Sequence, residues 1–321
     1  MRSLQLSVGL LMVQAAAHAS VTLLLEEPFG NFGGMTPTGH AAIYLARVCA
    51  ASPVELRRCN EDEQGVVISR YHRVSGYDWI AIPVLPYLYA VERPDQVPAS
   101  VSPEDVAALR DRYRRMNLEE VAPDVDGETP KGDWIQLVGA AYDRTIYAFG
   151  IETSERQDDE FIQKFNAYRN ERHFNILFHN CADFARQAVD FYYPHAIHRS
   201  FSEDMGIMTP KQAAKSLVSY SKHHGDLQFS SFVIPQVPGT VPRSTAVRGV
   251  IESFVKSKKY AVPLMTVAVL HPYFGGSMAL AWLDGSQFNP RRAAEGLNPR
   301  TQPAAIASEL KSNGLASDTA Q

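Results

Sequence analysis

The sequence predicts an α+β fold, and three observations carry that expectation. Short apolar runs of strand length recur between Val21 and Val91. Well-capped helical segments start at Ser102 and Asn180. Beyond about residue 200 the signals weaken, which predicts a mostly helical or irregular C-terminal extension. The 321 residues are 45% hydrophobic and 21% charged, ordinary values for a globular chain of one large domain or two small ones. A net charge of −4 with no basic stripe argues against nucleic acid as a partner.

The N-terminus reads as a secretory signal over residues 1–19. Arg2 supplies the positive start, Leu4 to Ala17 the apolar stretch, and Ala17-His18-Ala19 the small-x-small cleavage pattern. Cleavage after Ala19 removes one arginine and no acid, so the charge moves from −4 to −5. The expected setting is a periplasm or another exported compartment.

Val21 to Leu25 reads as a first strand. Glu26 to Thr38 is a loop rich in glycine, and His40 to Val48 is a buried strand that begins at the histidine. Gly65 to Tyr71 and Trp79 to Val91 follow as strands, the last carrying Pro83 and Pro86, which mark an edge or a break. Ser102-Pro103-Glu104-Asp105 starts a helix that runs to about Met116. Asp124 to Asp133 is an acidic loop. Trp134 to Ala141 and Thr145 to Glu152 read as a hairpin, followed by a charged helix from Ser154 to Asn170. Phe174 to Phe178 is a short apolar run. A helix then starts at Cys181 and ends near Tyr193, before Pro194.

In the extension, Thr209-Pro210 starts a short helix, His223 to Pro242 is a loop-rich connection, and Ser244 to Lys258 has helical character. Tyr260 to Leu283 is apolar, without Asp, Glu, Lys or Arg, and has about the length of a membrane span. His271, Pro272, Gly275 and Gly276 interrupt it, so a helical hairpin or surface-associated segment fits it as well. Residues 302–321 form a polar tail expected to be disordered. The expected organisation is a signal at 1–19, a main domain at 20–200, an extension at 201–301 with its apolar segment at 260–283, and the tail.

An exported chain invites disulfides. Cys49 ends one apolar run and Cys59 precedes another, so a hairpin between them can bring the two within bonding distance, the alternative being that all three cysteines are buried thiols. Pairing them leaves Cys181 alone. Asn180 is a good N-cap, and the first N–H groups of a helix together with its dipole favour a thiolate there. His40 is the best base, because it starts a strand directly after a glycine-rich loop. N–H groups at the start of the Cys181 helix are expected oxyanion donors. The orienting group is open. Ser69 and His72 lie on the neighbouring strand, but residues three apart face opposite sides. His179 and Asp183 flank the cysteine and read as solvated or structural. His223-His224 and His195/His198 lack the partners typical of zinc sites, so neither metal nor cofactor is expected.

Two segments carry a resemblance. Gly39-His40-Ala-Ala-Ile-Tyr44-Leu resembles the histidine strand of circularly permuted papain-fold enzymes. Phe178-His179-Asn180-Cys181-Ala-Asp-Phe184 resembles their Asn-Cys-x-x-Phe helix start. Lecithin–retinol acyltransferase-like proteins and permuted relatives of NlpC-type cell-wall peptidases share this His-then-Cys order, whereas ordinary papain-like enzymes reverse it. The resemblance covers roughly residues 21–195. It implies an antiparallel, barrel-like sheet packed against the cysteine helix. It also implies Cys181 as nucleophile, His40 as base and a third position at Ser69, where relatives often carry histidine. The implied activity is cleavage of an amide or ester through an acyl-enzyme, with cell-wall peptide as first substrate. A lipid acyltransferase or thioesterase of the same fold, in membrane contact through 260–283, and a non-catalytic envelope-associated binding protein are the alternatives.

Overall fold

Six strands form one antiparallel sheet in the order β6-β5-β2-β1-β7-β8. They are β1 (Ser20–Glu26), β2 (His40–Leu45), β5 (Val66–Ser69), β6 (Ile80–Pro83), β7 (Ile146–Glu152) and β8 (Phe229–Ile234). A separate hairpin pairs β3 (Val48–Ser52) with β4 (Glu55–Arg58). The computed structural model describes residues 20–30, 38–72, 74–171, 174–256, 266 and 270–296. The expected signal at 1–19, the expected tail at 302–321 and most of 257–269 lie outside these residues.

Side-chain alternation divides the core in two. Val21, Leu23 and Leu25 of β1 share one face with Ala41, Ile43 and Leu45 of β2. That face is covered by α4 (Glu155–Ala167), α5 (Cys181–Tyr192) and α7 (Pro210–His223). Leu24, Ala42 and Tyr44 point the other way, into a layer holding α1 (Val84–Tyr89), α2 (Pro103–Asn117) and α3 (Ala140–Asp143). Covering both faces explains why β2 is apolar over most of its length and buried throughout.

The α+β class and the antiparallel sheet packed on helices are as expected. The barrel-like closure is not: the sheet is open, with β6 and β8 at its edges. β6 stops at Pro83, where the chain turns into α1, so Pro83 and Pro86 mark both an edge and a break. The expected strand at Trp134–Ala141 is instead a short 3-10 turn (Asp133–Gln136) followed by α3. Gly139 enters α3 with φ +73°, which breaks extended backbone there. β8 lies inside the segment expected to be a loop-rich connection, because a six-residue run beside prolines gives little strand signal.

The helix starts follow their caps. Ser102 accepts from the Asp105 N–H, and the Asp105 carboxylate accepts from the Ser102 N–H at 2.8 Å. Ser154 and Gln157 repeat the arrangement at α4. Cys49 and Cys59 form a disulfide across the β3–β4 hairpin, with Cα atoms 4.9 Å apart. In the extension, α6 (Phe201–Asp204) precedes α7, and α8 (Val250–Lys256), α9 (Pro272–Gln287) and α10 (Pro290–Gly296) follow. Among the described residues no helix is long and apolar enough to cross a membrane, and α9 begins only at Pro272.

Gly39 decides how β2 begins. Its φ is +75°, and a Cβ there would lie 2.1 Å from the Glu26 carbonyl oxygen. The next residue, His40, pairs directly with Glu26 in the β1–β2 register.

Candidate active site at the end of the sheet

Asn180 caps α5 as its sequence predicts. Its side-chain oxygen accepts from the N–H groups of Ala182 at 2.8 Å and Asp183 at 3.0 Å. Its amide donates to the carbonyls of Ile176 and Met208, which anchors the loop before the cysteine. The cap has a chemical consequence. Two of the N–H groups expected as oxyanion donors are already used, and the donor left at this helix start is the N–H of Cys181 itself. The dedicated cap therefore narrows the expected oxyanion site to one backbone group.

Cys181 is the free cysteine, half-buried at the first turn of α5. Burial pushes its thiol up to about 11, and Glu26 adds to that rise. The backbone N–H groups of Ala41 and Ala182 and the charge of Arg144 pull the other way without prevailing. The expectation of a resting thiolate is thus corrected: desolvation outweighs the helix N-terminus, and the sulfur rests as S–H.

His40 is buried at the start of β2, with its Nε2 2.7 Å from Ser69 Oγ. Ser69 Oγ also lies 3.0 Å from the Ala41 carbonyl, which can only accept. The single Ser69 proton therefore goes to Ala41, and Ser69 accepts from Nε2–H. This assigns the tautomer: Nδ1 carries the lone pair that can take a proton. The Tyr71 ring stacks on the imidazole at 4.8 Å. Burial, reinforced by the Arg144 charge, holds His40 well below the ordinary histidine range, so it rests neutral.

Cys181 and His40 sit at the same end of the sheet without a hydrogen bond between them in this structure. Alternation gives the reason. The α5 helix packs on the Ala41–Ile43 face, whereas His40 has the parity of Ala42 and Tyr44. The sulfur reaches the strand at the Ala41 backbone rather than at the imidazole.

The other sequence-level candidates separate. Of the two candidates expected on the neighbouring strand, Ser69 ends β5 and meets His40, whereas His72 lies in the bend beyond the strand. His72 turns away, 3.9 Å from Asp133 and edge-on to Phe174. Asp183 accepts from the Asn180 N–H and pairs with Arg199, a structural role, and His179 is exposed to solvent. Among the described residues, Cys49, Cys59 and Glu63 are the group with metal-ligand proximity, and disulfide sulfurs are not thiolate ligands.

Four residues at the site escaped sequence reasoning: Glu26, Arg144, Tyr71 and Tyr87. Arg144 Nη1 donates to Glu26 Oε2 at 2.6 Å, and the Tyr87 hydroxyl donates to Glu26 Oε1. Arg144 also lies over the Phe29 ring at 4.4 Å. Glu26 had one available signal, an acid closing the apolar run Ser20–Glu26. Its partner is 118 residues away, and no local pattern joins them. Comparisons of the chain with protein-family models, with curated proteins and with solved structures return no match.

Proposed function

We propose that the chain is an exported thiol hydrolase of the permuted papain kind. It would cleave an amide or ester through an acyl-enzyme, with cell-wall peptide as the leading substrate. The observation that carries this reading is the His40–Ser69–Ala41 hydrogen-bond chain, which turns Nδ1 into a proton acceptor at the sheet end that holds the thiol. The Cys49–Cys59 disulfide fits an oxidising, exported setting.

In the first step the Cys181 S–H proton passes to His40 Nδ1, and the sulfur attacks the substrate carbonyl carbon. The carbonyl oxygen takes up negative charge, with the Cys181 N–H as donor. Collapse breaks the C–N or C–O bond, His40 protonates the leaving group, and a thioester remains. Water then gives a proton to Nδ1 and adds to the thioester carbonyl. Expulsion of the sulfur, reprotonated by His40, releases the acid. Both groups rest neutral and apart, so the first proton transfer requires them to close on one another around bound substrate.

Intact-mass analysis tests this with p-nitrophenyl acetate, a cell-wall-type peptide and a long-chain acyl thioester as donors. The expected result is an acyl adduct on Cys181 that turns over. His40→Ala should slow its formation about a hundredfold or more, and Cys181→Ala should abolish it. Faster turnover of the long-chain thioester than of the peptide moves the substrate to lipid acyl groups. An adduct no larger than background sinks the hydrolase reading. That outcome leaves a non-catalytic envelope-associated binding protein, which the missing Cys181–His40 hydrogen bond favours.

A further inference from the structure

The Glu26–Arg144 pair stands at the end of β1, deep in the molecule, with Glu26 1% and Arg144 4% exposed. Ion pairs at such depth lose so much hydration that stability is a poor account of them. Arg144 Nε, moreover, is buried without a partner. The position of the pair is more informative. Glu26 is the cross-strand neighbour of His40, and facing residues of an antiparallel pair share one side of the sheet. From the other direction, Arg144 Nη2 donates to the Gln136 side chain at 3.3 Å. The Tyr71 hydroxyl donates to the Gln136 carbonyl at 3.2 Å, and the Tyr71 ring stacks on His40. A chain of contacts thus joins the imidazole, through Tyr71 and Gln136, to the guanidinium, and the carboxylate belongs to the residue that faces His40 across the strand pair.

We propose that the Glu26–Arg144 ion pair sets the charge state of the Cys181–His40 pair, with both residues acting as positioning residues; the inference rests on the thiol-hydrolase reading. When the proton leaves Sγ for Nδ1, the sulfur becomes negative and the imidazole positive. The guanidinium stabilises the first charge and the carboxylate the second. Glu26 and Arg144 are also the charges that act on the sulfur. The remaining charged groups around it are engaged elsewhere: Asp183 of α5 with Arg199, and Arg70 beyond β5 with Asp78 while it lies over Phe184. Asp143, next to Arg144 in the chain, is held by Arg110.

Two variants test the coupling through charge alone. Glu26→Gln keeps an acceptor for Tyr87 and removes the negative charge. Adding Arg144→Met then removes the positive charge without stranding a buried carboxylate. Iodoacetamide alkylation of Cys181 across pH and NMR titration of the His40 ring are the readouts. In Glu26→Gln, alkylation near neutral pH is expected about tenfold faster than wild type, with His40 titrating at lower pH. The double variant is expected to lose that gain and to raise the His40 midpoint. Folded variants with wild-type profiles in both readouts overturn the proposal. If the variants fail to fold, the wild-type protein decides. Protonation of Glu26, followed by carboxyl NMR, has to produce an inflection in Cys181 alkylation at the same pH. A single-step profile overturns the coupling. Alkylation needs no turnover, so the coupling can hold in a protein without hydrolase activity, and activity can persist without the coupling.

Discussion

Ser69 shows how one neutral hydroxyl does two jobs. By donating to Ala41 it is obliged to accept from His40, so the orientation of the imidazole and the location of its proton follow from one backbone carbonyl. Ser69→Ala removes this control while leaving His40 stacked on Tyr71. The expected outcome is a ten- to hundredfold slower acylation of Cys181. The expected cost in stability is about 1 kcal/mol, measured by urea unfolding. Loss of global stability well beyond that, with acylation unchanged per folded molecule, would make Ser69 a purely structural residue. His72 does not take over this role, because β5 ends at Ser69 and the bend that follows carries His72 to Asp133.

Among the elements, the β3–β4 hairpin is the one whose covalent chemistry was legible in the sequence: in a chain read as exported, Cys49 ends one apolar run and Cys59, ten positions on, precedes another. It is also tied to α4. Arg58 pairs with Asp159, and Asn166 exchanges two hydrogen bonds with the Leu56 backbone. Replacing both cysteines by serine releases a short loop in the unfolded chain. The expected cost is about 2–3 kcal/mol, read from the denaturant midpoint in oxidising buffer. No measurable shift would place the hairpin outside the cooperative unit. The caps at Ser102 and Asn180 were legible for a related reason: each is a contact within four residues. The Trp134–Ala141 segment and β8 were not, because a mostly apolar segment containing Gly139 and a short run beside prolines take their conformation from distant packing.

For the molecule as a whole, the open sheet leaves the helical layers to hold the two cores in register. Much of the outer α2 layer is tied by arginine–carboxylate contacts. Asp111 is the clearest case. Burial pushes its carboxyl up, but Arg114, Arg115 and Thr129 outweigh that and hold it at about 2, below its ordinary 3.8. A depressed carboxyl contributes stability above its unfolded value, and that stability is lost as pH falls from about 4 to about 2. Asp111→Asn is expected to cost about 1–2 kcal/mol at pH 7, discounted for partial exposure. Urea unfolding should show the difference from wild type shrinking toward zero across that interval. A difference independent of pH would mean that Asp111 acts through packing. At this scale sequence reasoning reached the class and the antiparallel pairing. It missed the closure, which depends on whether the two end strands meet, a relation between residues 80–83 and 229–234 that no local pattern encodes.

Gly39 carries no functional group, yet the end of the sheet is arranged around its missing side chain. The backbone of β1 fills the space where any other residue would place its first carbon. Glu26 and His40 can face each other only because that space is left to the main chain. In a survey of every single substitution, position 39 should therefore behave like a site residue, intolerant even of alanine, although it offers nothing for a substrate to touch. Inheritance of the site would then depend as strictly on a hydrogen atom at one α-carbon as on the sulfur of Cys181.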